Sequence, residues 1–244
     1  MDLDRAKHRF FVELLNPPAA DLLAGEAHHA LHVLRLKKGQ TIELFDGQGR
    51  WASGPIVEVR RDRLSVAIDR VEGPAPRMGP AIHLAFAVPK GKRLDWLLEK
   101  VAELGVASLQ PLLCQHSVAG VGDLDTAQAR WRAICAAAVR QSRQVYLPEI
   151  LSPASLVDVV SAGPRGLGII AHGGADTPPL WELLSASGPE QVQLLIGPEG
   201  GWAEEELRAA ERAGFRAGRL GQTILRVETA AVVVVAGTMA LCRL

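Results

Sequence analysis

Residues 72–80, EGPAPRMGP, crowd three prolines and two glycines together. No regular element runs through such a stretch, because proline lacks the backbone donor and glycine loses the most conformational freedom on ordering. A domain boundary is therefore expected there, and the hydrophobic pattern changes across it. Before it, FFVEL, TIELFDG, WASGPIVEV and RLSVAIDRV are short, β-branched and partly alternating, with turns at Asp46-Gly47 and Arg61-Asp62, which predicts a small β-barrel. Within that region EAHHALHVLRLKKGQ predicts a short helix, with Leu31, His32 and Leu34 near helical spacing and Gly39 at its end. After the boundary, the apolar runs AIHLAFAV, ASLQPLL, GLGIIA and VQLLIG alternate with helical segments, the pattern of a parallel sheet flanked by helices. Leu94, Leu97, Leu98, Val101 and Leu104 line one helix that Gly105 can end, and Trp131, Ile134 and Ala138 mark another. The division expected is 1–72 for the barrel, 73–80 for the linker and 81–244 for an α/β domain.

With 244 residues, 48% of them hydrophobic, the chain can bury cores of two ordinary domains. Its 27 basic residues equal its 27 acidic ones, so any nucleic-acid binding must come from local patches. Candidates are Lys90, Lys92 and Arg93, and the series Arg130, Arg132, Arg140 and Arg143, each of which alone also fits a solvated helix face. Cys114, Cys135 and Cys242 are odd in number and widely spaced, which fits buried free thiols in a reducing cytoplasm. The start, MDLDRAKHRFFVELL, lacks the features of a signal peptide. The apolar stretch Ala230–Leu241 is shorter than the roughly 20 residues of a membrane span, so a buried helix and a cytoplasmic, membrane-free protein are expected.

Phosphate-cradling GxxxxGK, the dinucleotide GxGxxG and the GxSxG nucleophile elbow are all missing. His28-His29-Ala30-Leu31-His32 sets two imidazoles one helical turn apart but lacks the glutamate of a metalloprotease helix, so packing or RNA contact explains it better than metal. Ile196-Gly197-Pro198-Glu199-Gly200-Gly201-Trp202 is more informative, because it follows an apolar strand and precedes a helix. Ligands gather at such strand ends, where glycine lets backbone approach them; a plain strand-to-helix turn is the alternative. Glu204, Glu205 and Glu206 then occupy the first helical turn and would repel a phosphate, whereas a cationic or neutral ligand such as S-adenosylmethionine is compatible. In the second informative segment, Leu220-Gly221-Gln222-Thr223-Ile224-Leu225-Arg226-Val227-Glu228-Thr229-Ala230, Arg226 and Glu228 stand at the mouth of the apolar helix. A salt bridge between them and a reactive site are both open readings.

The chain resembles the SPOUT-class methyltransferases, and within them the bacterial 16S ribosomal RNA uridine N3-methyltransferases. The likeness spans nearly the whole length through Arg9-Phe10-Phe11, His32-Val33-Leu34-Arg35 with Gly39, Phe45-Asp46-Gly47, Lys90 with Lys92, and Lys100 to Val106. It continues through Gln141-Ser142, Pro148-Glu149, Gly197 to Gly201, and Ile224-Leu225-Arg226 with Glu228-Thr229-Ala230. Arg140, Gln144 and Val227 depart from the family pattern.

The resemblance implies a PUA-like RNA-binding β-barrel followed by an α/β SPOUT-type domain with a C-terminal trefoil knot. It implies S-adenosylmethionine as cofactor, held by His172, Ile196, Gly197, Gly201, Leu220, Gly221 and Leu225, with Arg226 and Glu228 as catalytic residues and no metal. RNA contacts are expected from Arg9, Arg35, Lys90, Lys92, Gln141 and Arg143. The partners implied are 16S ribosomal RNA in an assembled small subunit and a second copy of the chain. Two other classes compete: a non-catalytic ribosome-assembly protein, which would not need the glycine loops, and a nucleotide-using metabolic enzyme, which the glutamate-rich helix start opposes.

Overall fold

The computed structural model describes residues 6–116, 123–174, 176–185 and 188–242, so the first five residues of the charged start lie outside it. The chain divides into two compact units, one of residues 1–76 and 139–147 and the other of 77–138 and 148–244.

In the first unit, β1 (Arg9–Phe11) and β2 (Ala19–Leu23) lead into α1 (Ala24–His28), which continues as one π-helical turn over His29–Val33. Then come β3 (Thr41–Phe45), β4 (Trp51–Val59) and β5 (Arg63–Ala67). The sheet order is β1-β3-β4-β5-β2, with β1 parallel to β3 and the other pairs antiparallel. Phe10, Leu22, Ile42, Leu44, Ile56 and Leu64 come from all five strands and share one core with Ala27 and Ala30 of the helical turn, as a barrel-like domain requires. Strand β2 was not expected: AADLL has no alternation, and its partner β5 supplies the pairing.

Residues 139–147 complete this unit. Tyr146 stacks over Gly49, where an added Cβ would lie 2.4 Å from the ring, and Gly49 holds φ +95°. Both facts demand glycine. The phenol donates to Ala75 O at 2.7 Å, Gly49 N to Val145 O at 3.0 Å and Leu147 N to Gly47 O at 2.9 Å.

The second unit contains β6 (Ala81–Ala87), α2 (Lys92–Glu103), β7 (Ser108–Leu113), α3 (Leu124–Gln141, whose last turn enters the first unit), β8 (Glu149–Ile150), β9 (Ala154–Ser155) and α4 (Leu156–Val160). It continues with β10 (Leu167–Ala171), α5 (Leu180–Ser185), β11 (Gln191–Ile196), α6 (Glu204–Arg212), β12 (Arg216–Gly218) and α7 (Val227–Leu241). All strand pairs are parallel, in the order β12-β10-β11-β6-β7-β8, with β9 beside β7. Strand β11 thus sits between β10 and β6, beside the unit's first strand, and β12 takes the edge next to β10. Leu94, Leu97, Leu98 and Val101 bury the expected face of α2, and α7 packs against α2, α5, β6 and β11. Cys114 and Cys135 are buried, the latter's thiol pushed up to about 12 by burial, while Cys242 is only half-buried. Among the described residues no helix is long and apolar enough to cross a membrane.

Candidate active site

Three loops leave the carboxyl ends of adjacent strands β10, β11 and β12 and enclose a cavity of about 410 Å³, a size suited to a small ligand. His172, Ile196, Gly197, Gly201, Leu220, Gly221 and Leu225 all line it, so the residues expected to hold a cofactor converge on one space. Gly201 adopts φ +79° with open space around its Cβ position.

Trp202 is a cavity residue that sequence reasoning did not single out. It is 9% exposed, and its indole N–H donates to Ala171 O at 2.8 Å, tying the β11 loop to the end of β10. Gly197 exists for this ring: a Cβ there would lie 2.7 Å from Trp202 Cε2. The three glutamates do occupy the first turn of α6, but with different tasks. Glu206 turns inward, accepting from Ala203 N at 2.8 Å and Gln115 N at 3.1 Å, whereas Glu204 pairs with Arg208 at the surface. This acidic helix start disfavours a phosphate at the cavity.

Arg226 is the exposed N-cap of α7, and Glu228 lies in that helix's first turn. The two form no salt bridge, which removes one of the two readings the sequence left open. Glu228 is 7% exposed, its Oε2 is buried with no hydrogen-bond partner, and its Oε1 stands 4.0 Å from Nη1 of Arg93. The same guanidinium nitrogen is 3.5 Å from Oε1 of Glu199, a cavity-lining residue. Arg93 was legible only as part of a basic patch, since nothing local in the sequence indicates its distant carboxylates.

The expected RNA contacts fall into two groups. Lys90 and Lys92 are exposed at the start of α2, in the second unit; Arg35, Gln141 and Arg143 are exposed in the first, with Arg35 and Arg143 in left-handed backbone at φ +54° and +59°. Arg9 requires a correction. It is 5% exposed, its Nε lies 2.5 Å from Oε1 of the buried Glu43, and its guanidinium stacks over Phe45. It is a buried structural cation and offers RNA no surface. The family departure Arg140 also has a structural use, since its Nη1 lies 2.8 and 2.9 Å from the two carboxylate oxygens of Glu26. The rings of His28 and His32 lie 4.7 Å apart between centroids, and among the described residues no cluster of three potential metal ligands forms.

A second cavity, of about 320 Å³, lies on the sheet near His83, whose Nδ1 is 2.8 Å from Ser108 Oγ. Burial, reinforced by Arg165, holds the His83 imidazole below its ordinary value.

A family model described as an RNA methyltransferase domain matches residues 77–239, and one described as an RNA methyltransferase PUA domain matches residues 23–69. The chain belongs to the RNA methyltransferase family. Within this family it is 32% identical over 235 residues to the ribosomal RNA small subunit methyltransferase E of Mycobacterium tuberculosis, with 92% of this chain and 88% of that protein covered. Identity to the enzyme of the same name from Synechocystis is 31% over 226 residues, covering 90% and 72%. A solved RNA methyltransferase structure, the small subunit methyltransferase E of Neisseria gonorrhoeae bound to S-adenosyl methionine, superposes with a TM-score of 0.84 at 28% identity and covers 96% of this chain and 97% of that one.

Proposed function

We propose that this protein is an S-adenosylmethionine-dependent methyltransferase acting on N3 of a uridine in small-subunit 16S ribosomal RNA. The observation that carries the reading is the cavity walled by three glycine-containing loops beside an acidic helix start, in a chain similar along most of its length to a protein solved with that cofactor. The residues present fit the group: open glycine walls admit an adenosine, and the carboxylate of Glu199 faces a sulfonium favourably, whereas it would oppose a phosphate.

S-adenosylmethionine, when bound, supplies an electrophilic methyl group on a positively charged sulfur. Its leaving group is a neutral thioether, so the chemistry needs no metal. Uracil N3 becomes nucleophilic when its imide proton departs, and a positioned acceptor promotes that. Buried Glu228, with Oε2 unpartnered, is suited to receive or relay this proton. Arg226, exposed at the adjoining helix start, can stabilise the negative charge developing on the uracil oxygens. The seven cavity residues would hold the methyl donor at the ends of β10, β11 and β12.

The same reading assigns Arg35, Lys90, Lys92, Gln141 and Arg143 to RNA contact and makes an assembled small subunit in the cytoplasm the substrate. It includes the C-terminal trefoil knot, which rests on the family resemblance. A homodimer through the second unit is part of it, supported by Ile224, 95% exposed on a cavity loop, and Val233 on the outer face of α7. The test is incubation with radiolabelled S-adenosylmethionine and small subunits lacking their own modifications, followed by mapping. Label at N3 of one 16S uridine is expected; binding without transfer would instead indicate a non-catalytic assembly protein.

A further inference from the structure

We propose that Arg93 is a positioning residue for the methyl-transfer reaction, acting through Glu228. The inference rests on the functional reading above and extends it to a residue outside the cavity loops. Arg93 comes from the first turn of α2, whereas Glu199 follows β11 and Glu228 begins α7. Its Nη1 stands 3.5 Å from Glu199 Oε1 and 4.0 Å from Glu228 Oε1, so one guanidinium joins three elements distant in the chain.

The two carboxylates differ in a way that gives the bridge a direction. The Glu199 side chain is 42% exposed and is solvated without Arg93, but that of Glu228 is 9% exposed and keeps Oε2 buried with no partner. A buried acceptor left unmatched is retained at a cost, and a substrate N–H donor is the group that would match it. The ion pair at Oε1, 4.0 Å long, biases the orientation of the carboxylate, whose Oε2 is the oxygen left without a protein partner. Guanidinium geometry suits this task, since its planar donors can address two carboxylates at once. Arg226 has a separate part, because it forms no ion pair with Glu228: one arginine faces the substrate's developing charge and the other orients the acceptor.

The test compares wild type, R93K, R93Q, E228Q and R93Q/E228Q in single-turnover transfer to unmodified small subunits, with cofactor affinity measured by calorimetry. R93Q is expected to slow the chemical step by about 10- to 100-fold while changing RNA KM and cofactor Kd by less than about threefold, with R93K recovering part of the rate. In the E228Q background, R93Q should cost less than about twofold, because its target is already gone. Urea unfolding of the same proteins reads the pairing without activity and should show non-additive midpoints. Losses that multiply in the double variant, additive midpoints, or an R93Q defect confined to RNA KM would each overturn the assignment. A wild-type protein that transfers no methyl group would overturn the functional reading itself.

Discussion

The contact between Gly197 and Trp202 can be tested with a single methyl group. In Gly197→Ala the new Cβ would lie 2.7 Å from Cε2, 2.9 Å from Cδ2 and 3.0 Å from Nε1 of the indole, so the ring must move. It is 9% exposed and anchored to Ala171 O at 2.8 Å, and displacement loses that hydrogen bond. Overpacking costs about 1–3 kcal/mol, and the lost bond adds about 1 kcal/mol net, giving about 2–4 kcal/mol together. For a unit of this size that lowers Tm by roughly 5–15 °C. Because the indole also lines the cavity, cofactor affinity should fall at least about tenfold, equivalent to about 1.4 kcal/mol. Differential scanning calorimetry reads the first quantity and titration calorimetry with S-adenosylmethionine the second. Trp202→Phe should relieve the clash, so that G197A/W202F is less destabilised than the two single effects summed. If G197A melts and binds as wild type does, the ring is not held against Gly197 and this account of the loop is wrong.

Arg226→Ala should reduce single-turnover methyl transfer by about 10²- to 10³-fold with S-adenosylmethionine affinity nearly unchanged; near-native rates with early melting would instead make Arg226 structural. Gly201→Val should abolish cofactor binding in a folded protein, since φ +79° is unfavourable for a β-branched residue and its side chain would enter open space in the cavity; unchanged affinity by calorimetry would exclude this loop. Arg9→Ala strands Glu43, which is 1% exposed, and should destabilise the first unit by about 3–5 kcal/mol in urea unfolding. Normal stability with weakened RNA binding would return Arg9 to the RNA surface. Folded His83 resists a proton that the unfolded chain accepts, so its contribution is complete above about pH 6.5 and declines as pH falls. His83→Gln should therefore lose less Tm than wild type between about pH 7.5 and pH 5.5, and equal losses would refute the depressed imidazole.

The two-part pattern and the four long apolar strands were legible through local periodicity, and the loop after β11 through the rule that ligands meet strand ends, whereas the convergence of the glycine loops was expected only from the family resemblance. Strand β2 was not, since AADLL acquires its conformation from pairing with Arg63–Ala67. The short β8, β9 and β12 likewise exist through their neighbours. At the site, Trp202 acquires its place by a bond to Ala171, 31 residues away. Arg93, Glu199 and Glu228 were visible as separate charges, and only tertiary structure makes them neighbours. Arg9 is the reverse case: its place in a family motif implies a surface contact, but Glu43, 34 residues away and opposite it in the adjacent strand, is its buried partner.

The return of residues 139–147 to the first unit has a consequence for biosynthesis. All five strands of that unit have been translated when Pro76 is added, yet Tyr146 and Leu147, which cover Gly49 and Gly47, are still unmade. At about 5–20 residues per second, the 71 residues from 77 to 147 delay them by roughly 4–14 s. During that interval the nascent chain carries an N-terminal sheet with all five strands but without its covering segment, while β6, α2, β7 and α3 are produced. The two units therefore cannot mature as successive beads on a string, and a ribosome stalled before Tyr146 would hold a first unit that lacks its last covering piece.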